Sequence, residues 1–256
     1  MLIKSQKSFL LVLILQAFNS CTSSSGIVYL QDAYSSKPEN KKVEYEPKLQ
    51  PDDLLSIIVS AENPESTIPF NLPQIQGNYD TGANQYGVKS YLIDNDGKID
   101  FPVLGKIQLG GLARREANNK MVLLIAEYVK NPGVNLRILN FKFSVLGEVA
   151  RPGTFTIDSE RVTLLEALGK AGDLTIYGKR SDIMLIRENN GTKSYHKINI
   201  TKADFVHSPY YYLSQNDVIV VNPNRTKINS SVVGPNTSVI MTSISLLITL
   251  LVVLFK

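Results

Sequence analysis

The chain has 256 residues, of which 43% are hydrophobic and 20% charged, and its formal net charge is +4. These values are typical of a globular protein and predict one or two domains of normal core size. Lysine and arginine form no stripe with interleaved aromatic residues, so the mild basicity gives no case for nucleic-acid binding. The single cysteine, Cys21, excludes an intramolecular disulfide framework and a cysteine-based metal cluster.

The N-terminus has the layout of a secretory signal. Lys4 and Lys7 form a positive region, and the apolar stretch FLLVLIL follows and leads to Cys21. The pattern resembles a bacterial lipoprotein signal, in which the cysteine becomes the lipidated first residue, although Phe18 stands where Leu is usual. We therefore expect a signal peptide over residues 1–20 and lipidation of Cys21. The alternative is an uncleaved anchor with an incidental cysteine.

A first strand-rich unit is expected over residues 45–140. Residues 21–44, which are rich in serine and polar residues, read as a linker before it. The predicted elements are a buried strand over residues 54–59, a partly ordered loop over 62–90, a hairpin around the turn at 94–97, a helix over 112–128 and a strand over 134–139.

A second unit, over residues 141–224, follows without a linker. It is predicted to contain strands over residues 141–149, 154–157, 183–187, 193–198 and 217–221. Thr163 and Glu166 have the spacing of a capping box at the start of a short helix, and Gly172 is placed to end it. The soluble body is thus predicted to be α+β, built from two small strand-rich domains.

Residues 225–238 read as a second linker, and residues 239–255 as a transmembrane helix. The sequence VIMTSISLLITLLVVLF contains no charge, proline or glycine. In a helix it would rise ~1.5 Å per residue and span roughly 25 Å, just under the ~30 Å hydrocarbon core of a bilayer. The alternative is a core helix of a globular fold, but such a helix normally has a charged face.

The polar residues of this segment are aligned. At about 100° per residue, Ser238, Thr242, Ser245 and Thr249 fall within an arc of roughly 60°. Two interpretations stay open. The hydroxyls can bond to carbonyls of their own helix and have no further role. Otherwise the stripe faces other copies of the helix or a water-filled lumen.

Three motifs follow one another along the two units. They are Tyr45-x-x-x-Leu49-x-Pro51-x-Asp53-x-Leu55-x-Ile57, Ile93-Asp94-x-x-Gly97-x-Ile99-x-x-Pro102-x-x-Gly105, and Val145-Leu146-Gly147-Glu148-Val149-x-x-Pro152-Gly153. In this order, between a lipoprotein cysteine and an apolar helix, they resemble the polysaccharide export (Wza-like) outer-membrane lipoprotein family. The resemblance covers about Tyr45 to Pro223. Asp52 departs from the family, which usually has glycine there, and only one β-grasp module is present.

The resemblance implies a polysaccharide-export domain over residues 45–140 and a soluble-ligand-binding β-grasp (SLBB) domain over 141–224. It also implies a lipid-anchored protein of the bacterial outer membrane, with its soluble domains in the periplasm. Copies would form a homo-oligomeric ring that exports capsular or exopolysaccharide and works with an inner-membrane polysaccharide co-polymerase. The C-terminal helices would form a barrel, with Ser238, Thr242, Ser245 and Thr249 facing its lumen.

We expect no enzyme activity, cofactor or metal site. The pair Asp94-x-Asp96 suggests a calcium loop, but Ile99 and Gly105 stand where that loop needs glycine and glutamate, so a turn explains it better. The segment from Gly172 to Lys179 lacks the spacing of a phosphate loop.

Other features are open to more than one interpretation. His196 and His207 lack metal-ligand spacing and read as packing or surface residues. The run Tyr210-Tyr211-Tyr212 suits stacking on sugar rings, or equally a strand entry or subunit contact. The alternative function for the whole chain is a monomeric, membrane-anchored module that binds a periplasmic glycan or protein.

Overall fold

The computed structural model describes residues 26–35, 47–72, 90–159, 161–189, 191–232 and 237–254. Within them the chain forms two packed units, each around its own hydrophobic core, and two C-terminal helices. Both units mix helix and strand, which confirms the predicted α+β class. The predicted signal peptide and Cys21 lie outside the described residues.

The first unit is built on a small antiparallel sheet and one helix. Its strands are β1 (Leu54–Ser60), β2 (Tyr91–Leu92), β3 (Lys98–Phe101), β4 (Gly105–Gln108) and β5 (Gly133–Ile138); its helix is α1 (Arg114–Ile125), and a 3-10 helix covers Pro64–Phe70. β1 lies at the centre of the sheet, between β2 and β5. Its predicted position is confirmed, as are those of α1 and β5.

Alternation in β1 and helical spacing in α1 place apolar side chains on facing surfaces. Alternate strand residues point to one face, and helix residues four apart lie on one stripe. The side chains buried in this way are Leu55, Ile57 and Val59 from β1 and Ala117, Met121 and Ile125 from α1. Together with β3 and β4 they form the first core.

The predicted hairpin around residues 94–97 is wrong in its strand pairing. The turn exists, but β2 pairs with β1, and β3 pairs with β4, a strand that the sequence analysis did not identify. Asp94 explains the local geometry, because its Oδ1 accepts hydrogen bonds from the backbone N–H groups of Asp96 (3.0 Å) and Lys98 (2.7 Å). This carboxylate therefore serves as a turn residue.

The second unit contains a five-stranded sheet. Its elements are β6 (Lys142–Gly147), β7 (Gly153–Thr156), α2 (Leu164–Lys170), β8 (Gly178–Asn189), β9 (Thr192–Ile198), a 3-10 helix (Ala203–His207) and β10 (Val218–Pro223). The strand order is β7-β6-β10-β8-β9, in which β10 runs parallel to β6 and the other neighbours are antiparallel.

Local sequence signals explain the boundaries of this unit. Thr163 Oγ1 accepts a hydrogen bond from the Glu166 N–H at 3.1 Å, and Glu166 Oε2 accepts one from the Thr163 N–H at 2.7 Å, so the predicted capping box is confirmed. Gly172 follows α2 with a φ of +76°, as predicted for a helix end. Gly147 ends β6 with a φ of +88°, and a Cβ there would lie 2.2 Å from the Val221 oxygen.

Both predicted linkers contain ordered structure. Residues 26–35, within the expected linker 21–44, lie against the second unit: the N–H groups of Leu30 and Gln31 donate to the carbonyls of Ile200 and Thr201 at 3.1 and 2.8 Å. The expected linker 225–238 contains helix α3 (Arg225–Val232). These stretches are too short to show a regular hydrophobic periodicity from which their structure could be predicted.

Helix α4 (Thr237–Leu254) occupies the C-terminal apolar segment. Its helical state was predicted. Among the described residues, however, no helix is both long enough and apolar enough to cross a membrane. At ~1.5 Å per residue the 18 residues of α4 span about 27 Å, against roughly 30 Å of hydrocarbon core. The prediction of a transmembrane helix over residues 239–255 is therefore not supported.

Candidate functional site

Helix α4 has twelve exposed large hydrophobic side chains. Its large hydrophobic side chains are between 47% and 71% exposed, with Ile244 at the lower limit and Val253 at the upper. The apolar residues run around the helix, so no single face is turned toward the two packed units. Exposed apolar patches of this kind mark contact surfaces.

Two hydroxyl groups of the predicted stripe bond within α4. Thr242 Oγ1 donates to the Val239 carbonyl at 3.0 Å, and Thr249 Oγ1 donates to the Ser245 carbonyl at 2.8 Å. Ser243, which lies outside the stripe, donates to Val239 in the same way at 2.8 Å. This bonding lowers the cost of placing a hydroxyl in apolar surroundings. The side chain of Ser238 lies outside the described residues.

A second feature is the segment at residues 26–35, which is attached to the second unit by side chains as well as backbone. The Tyr29 hydroxyl donates to Asp173 Oδ1, and the Arg180 guanidinium lies 5.4 Å from the centre of the Tyr29 ring. Burial, together with the hydrogen bond and charge of Asp173, raises the pKa of Tyr29 to about 12. Asp32 Oδ1 accepts a hydrogen bond from the Ala203 N–H at 2.6 Å.

The three consecutive tyrosines contact groups of their own unit. The Tyr210 ring stacks on His196, with ring centres 4.1 Å apart, and the Arg187 guanidinium lies 5.8 Å from it. Tyr211 packs edge-on against Phe205. All three tyrosines are partly exposed. These contacts favour the packing interpretation of the three tyrosines. They also show His196 as a packing residue, because its ring stacks on Tyr210.

A buried ion pair lies beneath these rings. Arg187 Nε donates to Asp217 Oδ1 at 3.0 Å, and a second guanidinium nitrogen donates to Oδ2 at 2.7 Å and to the Tyr212 carbonyl at 2.9 Å. Arg187 is 8% exposed and Asp217 is fully buried. The pKa of Asp217 is raised overall, because the effect of burial outweighs the hydrogen bonds and the charge of Arg187, which lower it. Sequence reasoning missed this pair because 30 residues separate its members.

The junction between the two units is a hydrogen-bonded network of side-chain amides around Asn140. Asn140 Nδ2 donates to the Asp52 carbonyl and its Oδ1 accepts from the Leu54 N–H, both at 2.9 Å. Gln215, which is 3% exposed, donates from Nε2 to the Asn140 carbonyl at 3.0 Å and accepts from the Lys142 N–H at 2.9 Å. The side-chain amides of Asn140 and Gln215 thus connect the C-terminal end of the first unit to the start of the second by hydrogen bonds.

Asp53 lies buried next to this network. Its Oδ2 accepts a hydrogen bond from the Gln50 N–H at 2.9 Å, whereas its Oδ1 has no hydrogen-bond partner among the described residues. Burial raises the pKa of Asp53 from 3.8 to about 6, against the lowering effects of Gln50 and the nearby Gln215. Sequence analysis identified this aspartate as a motif residue, but it did not predict its burial.

The motifs and the two hydrophobic cores lie in regions that match two known protein families. Residues 41–139 match the family described as polysaccharide biosynthesis/export protein, and residues 141–221 match the SLBB domain. The chain therefore carries a polysaccharide export domain followed by an SLBB domain. The first packed unit is thus the polysaccharide export domain, the second is the SLBB domain, and the predicted resemblance is confirmed.

Two relatives are similar to part of this chain. The EPS I polysaccharide export outer membrane protein EpsA of Ralstonia solanacearum is 34% identical over 148 residues, which are 56% of this chain and 38% of that protein. The protein of the same description from Ralstonia nicotianae is 36% identical over 141 residues, or 53% of this chain and 37% of that protein. The chain thus covers less than two fifths of the length of each relative.

Proposed function

We propose that this protein is an outer-membrane subunit of a polysaccharide exporter and that its copies assemble into a ring. The family matches and the two relatives support export and location, because both relatives are described as polysaccharide export outer membrane proteins. The protein is a conduit in this proposal and carries out no chemistry. An inner-membrane polysaccharide co-polymerase supplies the polymer.

The exposed apolar surface of α4 carries the proposal for assembly. Side chains such as Leu246 (69% exposed), Val252 (64%) and Leu254 (71%) lie in water in a single chain. Association of equivalent helices removes this surface from water at a gain of roughly 25 cal/mol per Å² of apolar area. A closed ring satisfies every copy equally, because each one offers the same helix to its neighbours.

The hydroxyl stripe sets the orientation of each helix in the proposed ring. With Thr242, Ser245 and Thr249 toward the centre, the leucine-rich remainder faces neighbouring helices and the surroundings of the ring. Intrahelical bonding of Thr242 and Thr249 is compatible with a hydrated centre, since a hydroxyl oxygen keeps acceptor capacity for water or sugar after it donates.

Export is tested in the native bacterium by deleting the gene and measuring surface polysaccharide. The wild-type gene restores export if the proposal holds. The triple variant Thr242→Leu, Ser245→Leu, Thr249→Leu is expected to reach the membrane at normal abundance and to block export. Ser243→Leu, which removes a hydroxyl outside the stripe, is the matched control and exports normally. Unchanged polysaccharide in the triple variant removes the assignment of these residues to the lumen.

The second candidate function is a monomeric module that holds a periplasmic glycan or protein. Its support is that Tyr210, Tyr211 and Tyr212 stay partly exposed although their rings pack within the SLBB domain, and aromatic faces suit sugar rings. In that case α4 does not associate with other copies of itself. A deletion strain complemented with the triple variant then exports as the wild type does.

A further inference from the structure

The five-stranded sheet of the SLBB domain has two open edges. Its strand order, β7-β6-β10-β8-β9, places β7 at one edge and β9 at the other, and no strand of the described residues lies beyond either one. The outer N–H and C=O groups of an edge strand form a template for pairing with another chain. Since one sheet offers both edges, β9 of one copy can be covered by β7 of the next copy.

The directions of the two edge strands suit this pairing. β7 runs antiparallel to β6, β6 parallel to β10, β10 antiparallel to β8, and β8 antiparallel to β9. β7 and β9 therefore point in opposite directions. When the sheet of one copy continues into the sheet of the next, β9 meets β7 in the antiparallel arrangement, which is slightly more stable per residue than the parallel one.

The side chains of both edge strands divide between a core face and an outer face. Phe155 of β7 pairs with the buried Phe143, and Ile198 of β9 pairs with the buried Ile183. Alternate residues point to opposite faces, and this alternation continues past β7 with the buried Ile157, whose N–H bonds to β6 of the sheet through the chain just before it. The exposed residues of the outer face are Thr154, Thr156 and Asp158 at one edge and Lys193, Tyr195 and Lys197 at the other.

One antiparallel register brings complementary outer-face residues together. It places Thr156 opposite Tyr195 and Asp158 opposite Lys193, and it keeps the pairing within β9. Pairs of an aromatic with a β-branched side chain stabilise neighbouring strands, as do pairs of opposite charge. Tyr195 is 66% exposed in a single chain, so this contact would remove a large aromatic side chain from water.

The lysines of β9 decide which edge it can accept. The side chains of Lys193 and Lys197 are 63% and 70% exposed, and their ion pairs within the chain are long, at 3.9 and 3.4 Å. If two copies of β9 paired around Tyr195, lysine would lie opposite lysine, and like charges destabilise such a pair. Asp158 beside β7 offers the opposite charge. Charge therefore favours the contact between unlike edges, and a contact of this type generates a ring when its rotation closes.

We propose that β9 of one copy pairs with β7 of the next, so that the SLBB sheets form one continuous sheet around the ring. The proposal rests on the ring assembly proposed above and adds to it a second interface, which sets the order and orientation of neighbouring SLBB domains. Helix α4 supplies most of the affinity, because β7 has only four residues and its ladder is short. A closed ring leaves no SLBB edge uncovered.

Disulfide trapping in the full-length protein tests the contact directly. Thr156→Cys and Tyr195→Cys are introduced together, because opposite residues of antiparallel strands have Cα atoms about 4.5 to 5.5 Å apart, which a disulfide can bridge. Within one chain the two positions lie at opposite edges of five strands, roughly 19 Å apart at ~4.8 Å per strand spacing. Every bond between them therefore joins two chains. Mild oxidation in detergent is expected to give a ladder from dimers to the closed ring.

Matched controls separate this contact from random collision. Glu188→Cys with Thr156→Cys is the displaced pair, because Glu188 is exposed on the same face as its partner Lys193 but lies on β8, one strand farther from the edge. Its yield should be at least about tenfold lower, since the Cα atoms exceed the reach of a disulfide. Each single-cysteine variant should give no ladder, and the wild type, oxidised in parallel, shows any contribution of Cys21.

Charge reversal tests the register independently of where the cysteines react. In the double-cysteine protein, Lys193→Glu and Asp158→Lys are each expected to slow disulfide formation at least about fivefold, because like charges then face each other. The combined variant restores opposite charges and should restore the rate. Thermal unfolding of each variant shows that the domain still folds, since all of these positions are exposed.

Three results would overturn the proposal. The first is a protein of ring-sized native mass whose double-cysteine variant gives no ladder. The second is equally fast bonding in Tyr195→Cys alone, which would show that β9 pairs with a second β9. The third is a combined charge reversal that reacts as slowly as the single ones.

The failure of this contact and the failure of the proposed function are separable. A ring by native mass without a ladder removes the edge pairing and leaves the ring. Monomers without a ladder remove both. Normal surface polysaccharide in the deletion strain, together with a ladder in the double-cysteine protein, removes the export function and leaves the contact between β7 and β9.

Discussion

Gln215 and Asn140 join the two domains, because the Nε2 group of the glutamine donates to the main-chain carbonyl of the asparagine at 3.0 Å. Asn140 is the middle of the three residues between β5 of the export domain and β6 of the SLBB domain, and its own side chain bonds to the backbone of Asp52 and Leu54. The connection is thus a short hydrogen-bonded joint, in which each side-chain amide donates one hydrogen bond and accepts one.

Gln215→Ala is expected to destabilise this joint. The change leaves the Asn140 carbonyl and the Lys142 N–H without their partner, and unsatisfied groups of this kind cost about 1 to 3 kcal/mol each when buried. Urea unfolding measures the loss. Gln108→Ala is the control, since Gln108 is exposed and makes one long bond of 3.3 Å to Gly110. Equal midpoints for the two variants would contradict the role of Gln215.

Asp53 is expected to make the stability of the export domain depend on pH. Its pKa of about 6 lies above the ordinary value of 3.8, so the folded protein holds the proton more tightly than the unfolded chain. The resulting stability is fully present below about pH 4 and is lost as the pH rises through 6. Two pKa units correspond to about 3 kcal/mol.

The difference in unfolding free energy between the wild type and Asp53→Asn isolates this contribution. The variant keeps an oxygen for the Gln50 N–H but cannot ionise. Relative to the variant, the wild type should lose roughly 2 to 3 kcal/mol between pH 4 and pH 7.5. A constant difference, or one that favours the wild type as the pH rises, would show that Asp53 is not held neutral by burial.

Tyr29→Phe is expected to loosen residues 26–35 from the SLBB domain while the rest of the fold stays intact. The change removes the hydrogen bond to Asp173 and keeps the ring near Arg180. At about 1 kcal/mol for the lost bond, the Leu30 and Gln31 amides should exchange with deuterium several-fold to about tenfold faster. Tyr34→Phe is the control because Tyr34 is fully exposed, and exchange in it should match the wild type.

Arg187→Leu is expected to cost about 3 to 5 kcal/mol, because it leaves the Asp217 carboxylate buried without its partner. Lys193→Leu is the comparison. Its ion pair with Glu188 is long, at 3.9 Å, and both side chains are about half exposed or more, so the loss should stay below about 1 kcal/mol. Thermal unfolding of the two variants measures both effects, and similar losses would contradict the assigned burial.

The parts of the fold that sequence predicted are those set by local rules. The apolar run of β1, the capping box of α2 and the glycine that ends this helix depend on neighbouring residues. The pairing of β2 with β1 and the Arg187–Asp217 pair depend on contacts between distant residues, which periodicity does not contain.

The residues of the candidate site also differ in how far the sequence predicted them. The aligned hydroxyls of α4 could be found by counting along a helix, and the structure adds that two of them bond within it. That Thr242, Ser245 and Thr249 face a lumen stays a prediction, because a lumen needs several copies of the chain. Lipidation of Cys21 also stays a prediction, because Cys21 lies outside the described residues.

Assembly through α4 is the central claim, and the native mass of the protein in mild detergent tests it most directly. The full-length protein is compared with a version that ends at Val233 and so lacks α4. We predict a closed ring of many copies for the full-length protein and a large loss of mass for the truncated form. Monomers in both preparations, under conditions that keep the lipid anchor, would contradict the ring and favour the binding-module function.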